Sequence, residues 1–108
     1  MTKQIEKSSG NVFADIGVPG SDQELLKAKF AVQIYKLVKA RGFTQAEAAA
    51  FLGTTQPQVS ALMNLRPASM SVGRLMEFLT ILGQDIQVTV KPTRRRAQGQ
   101  MTVQVGSS

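Results

Sequence analysis

The chain has 108 residues, which is enough for one domain with a modest hydrophobic core. It contains no cysteine and no histidine, which excludes disulfides, thiolate metal sites and histidine-dependent catalysis. The formal net charge of +6 favours a polyanionic partner, and the lack of an apolar run of membrane-spanning length predicts a cytoplasmic protein.

Residues 1–20 are predicted to form an N-terminal arm, because their glycines and Pro19 interrupt any helical periodicity. A helix is predicted to begin after Ser21, since Ser21 and Glu24 have the spacing of a capping box. Gly42 is expected to end this helix. The apolar residues in between recur every three or four positions and therefore share one face: Leu26, Phe30, Ile34, Leu37 and Val38.

A second, shorter helix is predicted over residues 45–52. Thr44 and Glu47 have the spacing of another capping box at its start, and Gly53 is expected to end it. Ala49 lies four residues before Gly53 and is small enough for the next helix to cross closely at that point. This part of the chain therefore predicts a compact helix followed by a very tight turn.

A third helix is predicted from Thr55 to about Asn64, with Thr55 as its cap. Gln58, at the third helical position, can complete a capping box by accepting from the Thr55 N–H. Pro57 is tolerated there, because the amides of the first turn have no helical partner. Val59 is expected to point inward and anchor the helix to the core. A short helix, a tight turn with glycine and another short helix form a helix-turn-helix unit, whose second helix lies in the major groove of DNA.

A fourth helix is predicted to begin after Ser71, which can cap it, and to end at Gly83. Its apolar residues again fall at helical spacing and predict one buried stripe: Val72, Leu75, Met76, Leu79 and Leu82.

The period of the apolar residues then changes from helical spacing to strict alternation, which predicts a half-buried strand at Ile86, Val88 and Val90. The same alternation returns at Met101, Val103 and Val105, which predicts either a second strand or a frayed tail. Because a lone strand leaves its backbone groups unpaired, the first strand requires a partner. That partner is either the second segment, in a hairpin, or the same strand of a second subunit.

Residues 44–62, TQAEAAAFLGTTQPQVSAL, resemble the DNA-binding core of the Cro/C1-type (XRE family, phage repressor-like) regulators. A wider stretch, residues 10–92, resembles the HigA-like antitoxins through GNVFAD at 10–15, SV at 71–72 and GQD at 83–85. The resemblance implies a mainly α fold, a helix-turn-helix bundle of four to five helices with a C-terminal β-strand or hairpin. It divides the chain into an arm (1–20), a DNA-binding domain with its strand (21–92) and a basic tail or second strand (93–108).

The resemblance also implies roles for residues at matching positions. Gln45 donates to a DNA phosphate at the positive end of its helix. Gln56, Gln58 and Ser60 face base edges, where a glutamine can pair with adenine through N6 and N7. Thr55 contacts a thymine methyl group or a phosphate. Asn64 and Arg66 hold the DNA backbone just beyond the helix.

Each of these roles has a purely structural alternative. The side chain of Gln58 can be fully used in capping the helix. Gln45 and Gln56 can be ordinary solvated residues at helix starts. The run Arg94, Arg95 and Arg96 can contact phosphate, contact a partner protein or merely keep the chain soluble. Leu65 stands where the family commonly has a glycine, which predicts a different path for the loop after the third helix.

The partners implied by the resemblance are double-stranded DNA with a palindromic operator, a second copy of the chain and a small ribonuclease toxin. In this reading the toxin–antitoxin complex represses its own operon, with no cofactor and no enzymatic activity. One alternative is a stand-alone regulator of phage type. Another is a protein-interaction module on the same scaffold, which is favoured by the neutral stretch 44–83, where two basic residues balance two acidic ones.

Overall fold

The computed structural model describes residues 22–67, 69–94 and 98–106. The predicted arm, the Ser21 cap and two of the clustered arginines, Arg95 and Arg96, lie outside these residues. Within them the fold is helical, as predicted, with α1 at Asp22–Ala40, α2 at Gln45–Leu52, α3 at Gln56–Met63 and α4 at Val72–Ile81. None of these four helices combines the length and apolar character needed to cross a membrane.

The helix ends follow the capping signals in the sequence. At α2 the capping box is complete, because the Glu47 N–H donates to Thr44 Oγ1 (3.1 Å) and the Thr44 N–H donates to Glu47 Oε1 (2.8 Å). Ser71 caps α4 by accepting a hydrogen bond from the Arg74 N–H (3.0 Å). The glycines predicted to end α1, α2 and α4 all have positive φ, the conformation that a helix exit needs.

The core lies where α1 packs across α4 and α3, while α2 packs against α3 and α4. Most of the predicted apolar positions are buried, and α1 contributes Leu26, Phe30, Ala31, Ile34 and Val38 to the core. Phe78, which was not among the residues predicted for the α4 stripe, is completely buried. The largest fully buried side chains come from three of the helices: Ile34, Val38, Val59, Leu62, Leu75 and Phe78.

The predicted C-terminal β-strand is wrong for the described residues, and the four helices found there are the lower of the two numbers predicted. Residues 84–94 have no regular secondary structure, and only Ile86 of the alternating residues packs against the core. Val88 and Val90 are 68% and 92% exposed. A strand exists only when a neighbouring strand accepts its hydrogen bonds, and no described residue does so here.

The second alternating segment does not pair with the first because it lies along α1 instead. The Met101 N–H donates to Asp22 Oδ2 (2.9 Å), and Lys29 Nζ donates to the Val103 carbonyl (3.5 Å). Val103 is half-buried against the core, whereas Met101 and Val105 are exposed. The hairpin predicted as one of the two alternatives is therefore absent from the described residues.

Candidate nucleic-acid interface

The turn between α2 and α3 is held by the residues that the sequence singled out as scaffold. Gly53 has a φ of 71°, and both its N–H and the Thr54 N–H donate to the Ala49 carbonyl. Ala49 is 7% exposed and Val59 is 1% exposed, so both lie in the core between the helices. This arrangement makes a helix-turn-helix unit of α2 and α3, in which neither Ala49 nor Val59 is available to a ligand.

The start of α3 brings four of the predicted DNA-binding residues together within six consecutive positions. Thr55 and Gln56 are exposed, while Gln58 and Ser60 are half-buried. Val59 and Leu62 turn inward, so the polar side chains are left on the outer side of the helix. The Thr55 hydroxyl caps the helix by accepting from the Gln58 N–H (3.3 Å), which leaves its own O–H able to donate.

Gln58 differs from the sequence prediction in the way its side chain is used. In a complete capping box it would return to the Thr55 amide. Here its Oε1 accepts a hydrogen bond from the Thr54 hydroxyl instead. Gln56 makes no side-chain hydrogen bond that ties it to another described residue, so its amide is presented to solvent with all its donors and its acceptor.

The remaining predicted contact residues flank this surface. Gln45 is exposed at the first position of α2, where the helix dipole is positive. Beyond α3, Asn64 Nδ2 donates to the Ser60 carbonyl (3.0 Å), so one of its donors already serves the helix end. Arg66 is exposed, and its backbone N–H donates to the Ala61 carbonyl (2.8 Å).

Leu65 has a φ of 57°, which is the left-handed conformation that glycine adopts without strain. The expectation that a leucine at this position would send the loop along another path therefore finds no support in the backbone. The loop is shaped by backbone hydrogen bonds, since the Leu65 N–H donates to the Leu62 carbonyl (2.9 Å).

Sequence reasoning missed Arg74, which ties α4 to the turn of the helix-turn-helix unit. Its Nη2 donates to the Gly53 carbonyl (3.0 Å), its Nη1 pairs with Glu77 Oε1 (2.6 Å), and its guanidinium lies over the Phe78 ring at 4.5 Å. No local pattern reveals these contacts, because Gly53 and Arg74 are 21 positions apart. The one local sign of a special role is the position of Arg74 in the first turn of α4, where the helix dipole disfavours a positive charge.

The charge of this surface follows from these pairs. The stretch 44–83 contains Arg66 and Arg74 as its basic residues and Glu47 and Glu77 as its acidic ones. Arg74 is paired with Glu77, and Glu47 is bound in the α2 cap. Residues 54–65, which include all of α3, carry no charged side chain. The exposed side of α3 therefore offers amides and hydroxyls, and positive charge is supplied from outside it.

Comparison with known proteins agrees with this geometry. The helix-turn-helix domain family matches residues 12–91 of the chain. A solved structure described as an XRE family transcriptional regulator is similar, with a TM-score of 0.70 and 34% sequence identity; the match covers 79% of this chain and 97% of that one. No curated protein matches the chain.

The fold, the capped α2–turn–α3 unit and these matches define a helix-turn-helix protein, and the chain belongs to the helix-turn-helix domain family. More narrowly, it is an XRE-type regulator, a member of a class that regulates transcription by binding DNA.

Proposed function

We propose that the protein is a sequence-specific repressor that reads a palindromic operator, and that it is the antitoxin of a toxin–antitoxin pair which represses its own operon. The observation that carries the DNA-reading part is the outer side of α3. A rigid, capped helix presents Gln56, Gln58 and Ser60 without any competing charge. Side-chain amides and hydroxyls can recognise base edges by hydrogen bonding in the major groove.

Phosphate contacts supply the affinity in this proposal. Gln45 donates from the start of α2, Thr55 donates its hydroxyl from the start of α3, and Asn64 and Arg66 hold the backbone beyond α3. The flanking regions outside 44–83 carry eleven basic residues against five acidic ones. This excess supports binding to a polyanion, and it makes affinity fall as salt rises.

A homodimer is the second element of the proposal. Residues 85–92 make no backbone hydrogen bond to another described residue, and Val88 and Val90 expose apolar side chains that a second copy could cover. A second copy running antiparallel would pair this backbone and cover these valines. Two copies related by a twofold axis would place two α3 helices on half-sites about one helical turn apart.

The antitoxin role is supported by the flanking residues that resemble HigA-like proteins, which lie at 10–15, 71–72 and 83–85. The partner would be a small ribonuclease toxin encoded beside this chain. Co-expression tests this directly, because the antitoxin should restore growth to cells that express the neighbouring reading frame and should co-purify with its product. If that reading frame is harmless alone and does not bind, the protein is a stand-alone regulator.

The experiment that tests DNA reading is the selection of sites from a random double-stranded library by the purified full chain at moderate salt. We expect a palindrome with half-sites about one helical turn apart. If no sequence is enriched, the neutral character of the α2–α4 stretch favours a different function, a protein-interaction module on the same scaffold.

Gln56→Ala should reduce affinity for the selected operator by roughly 1–3 kcal/mol, because it removes a side chain that reads a base and touches no part of the core. Gln23→Ala is the matched control, since Gln23 is an exposed glutamine at the start of α1. Binding is measured by fluorescence anisotropy, and thermal unfolding verifies that both variants fold. Equal affinity of Gln56→Ala and Gln23→Ala would refute the role of Gln56.

A further inference from the structure

The residue of α3 that points most directly away from the core is Pro57, near the start of the helix. Val59 and Leu62 are the buried side chains of α3, and together they define the direction toward the core. At the helical rotation of about 100° per residue, Pro57 lies roughly 170° from the mean of these two directions. Its exposed ring is therefore at the centre of the outer side of the helix.

The two glutamines assigned to base reading lie on either side of Pro57. By the same rotation, Gln56 and Gln58 are turned roughly 90° and 70° from the inward direction, in opposite senses. Ser60 and Ala61 are each turned roughly 130° from it, and both are half-buried. Pro57 thus combines the most outward direction of these residues with an exposed side chain.

A proline ring presents only apolar surface to the major groove. It has no side-chain donor or acceptor, and its nitrogen carries no hydrogen. Thymine is the base that adds an apolar group, its C5-methyl, to the hydrogen-bonding pattern of the major groove. Contact with that methyl group removes apolar surface from water, whereas contact with the other base edges lacks this gain and can cover polar groups without pairing them. An apolar side chain at this position therefore favours thymine.

We propose that Pro57 is a specificity-determining residue, which reads a thymine in each half-site by van der Waals contact with the C5-methyl group. This inference rests on the proposed function, because it requires the outer side of α3 to lie in the major groove. Thr55 also has a methyl group and lies at the start of the same helix, where its hydroxyl accepts from the Gln58 N–H (3.3 Å). The test must therefore separate the methyl group of Thr55 from the ring of Pro57.

The test replaces the thymines of one half-site of the selected operator by uracil, one at a time. Uracil keeps the O4 acceptor and lacks only the C5-methyl group. Fluorescence anisotropy measures the affinity of the full chain as the parent, Pro57→Ser and Thr55→Ser, of which the last keeps the capping hydroxyl but loses the methyl group. Pro92→Ser is the matched control, since Pro92 is an exposed proline outside the helices. Thermal unfolding verifies that each variant folds.

At one position, uracil should lower the affinity of the parent, Thr55→Ser and Pro92→Ser by about fourfold, as expected for one buried methyl group. Pro57→Ser should bind the thymine and uracil operators equally at that position, because it no longer contacts the methyl group. If the proline only supports the helix start, Pro57→Ser will weaken both operators and keep the fourfold ratio, which would overturn the inference.

Two further results would overturn the inference while leaving the DNA-reading function intact. One is a parent that is insensitive to uracil at every thymine. The other is a sensitivity that disappears in Thr55→Ser and persists in Pro57→Ser. A parent that selects no site would overturn both the inference and the proposed function.

Discussion

Glycine is expected to affect the stability of the fold in opposite directions at two positions of this chain, Gly53 and Gly73. A Cβ added at Gly53 or at Gly73 would meet no atom within 4 Å, so neither glycine is there to make room. Gly53 has a φ of 71° and ends α2, a conformation in which any Cβ is strained. Gly73 lies in the first turn of α4 with ordinary helical backbone, where glycine only adds flexibility to the unfolded chain.

Gly53→Ala should therefore lower the free energy of unfolding by about 1 kcal/mol, and Gly73→Ala should raise it by about 0.5 kcal/mol. Chemical denaturation of the two variants measures both changes in the free energy of unfolding. Gly53→Asn serves as the control, because asparagine tolerates the left-handed conformation and should cost less than alanine. If Gly53→Ala were neutral, the turn would not depend on this backbone conformation.

At the residue scale, the sequence predicted those features that depend on near neighbours. The Thr44–Glu47 box and the positive φ of Gly53 follow from short patterns and were confirmed. The side chain of Gln58 was assigned to the wrong partner, because Thr54 and Thr55 both lie within its reach and the sequence does not rank them. The DNA contacts themselves stay predictions.

The elements of the site are held together by a contact between α4 and the turn. Arg74 satisfies the Gly53 carbonyl at the C-terminal end of α2, where the helix dipole favours a cation. Because Gly53 immediately precedes the threonines that cap and orient α3, Arg74 helps to fix where α3 begins. It is thus an arginine near the predicted interface whose role is structural.

Arg74→Ala should lower the free energy of unfolding by about 1–2 kcal/mol, since a charged hydrogen bond to a carbonyl and the contact with the Phe78 ring are both lost. Glu77→Ala should change it by less than about 0.5 kcal/mol, because the Glu77 side chain is 56% exposed and surface pairs contribute little. Thermal or chemical unfolding measures both changes.

The salt dependence of operator binding by Arg74→Ala distinguishes a structural role of Arg74 from a phosphate contact. A phosphate contact would flatten the dependence of log affinity on log salt by about one unit when it is removed. We expect Arg74→Ala to weaken operator binding with an unchanged salt slope, whereas Arg66→Ala should flatten it. A flattened slope in Arg74→Ala would contradict the structural assignment.

At the scale of elements, helices were predictable and strands were not, for a physical reason. A helix closes its hydrogen bonds within itself, so that periodicity and caps located α1 to α4 to within two residues. A strand depends on a distant partner. The alternation at residues 86–90 and 101–105 could not reveal that the first segment has no partner strand among the described residues and that the second packs on α1.

At the scale of the whole molecule, the described residues form a body of four helices and two C-terminal segments that have different surroundings. The later segment lies along α1, and Val103 is half-buried against the core. In the earlier one Ile86 is half-buried against the core, whereas Val88 and Val90 are exposed. We therefore place the proposed dimer contact on residues 84–92, whose two valines are more exposed than Met101 and Val105 of the later segment.

Val88→Lys combined with Val90→Lys should convert the proposed dimer to a monomer, because two added positive charges on each copy would repel each other across the interface. Sedimentation equilibrium measures the change in mass. Val105→Lys is the matched control, since Val105 is an exposed valine of the other extended segment. A double variant that stays dimeric would place the dimer contact elsewhere, and a monomeric parent would refute the homodimer.

The outward residues of α3 also have an evolutionary consequence. Gln56, Gln58 and Ser60 contribute no side chain to the fully buried core, so most replacements at these positions should alter stability by no more than about 0.5 kcal/mol. A lineage of this protein can therefore move from one operator to another by point mutation without losing its fold.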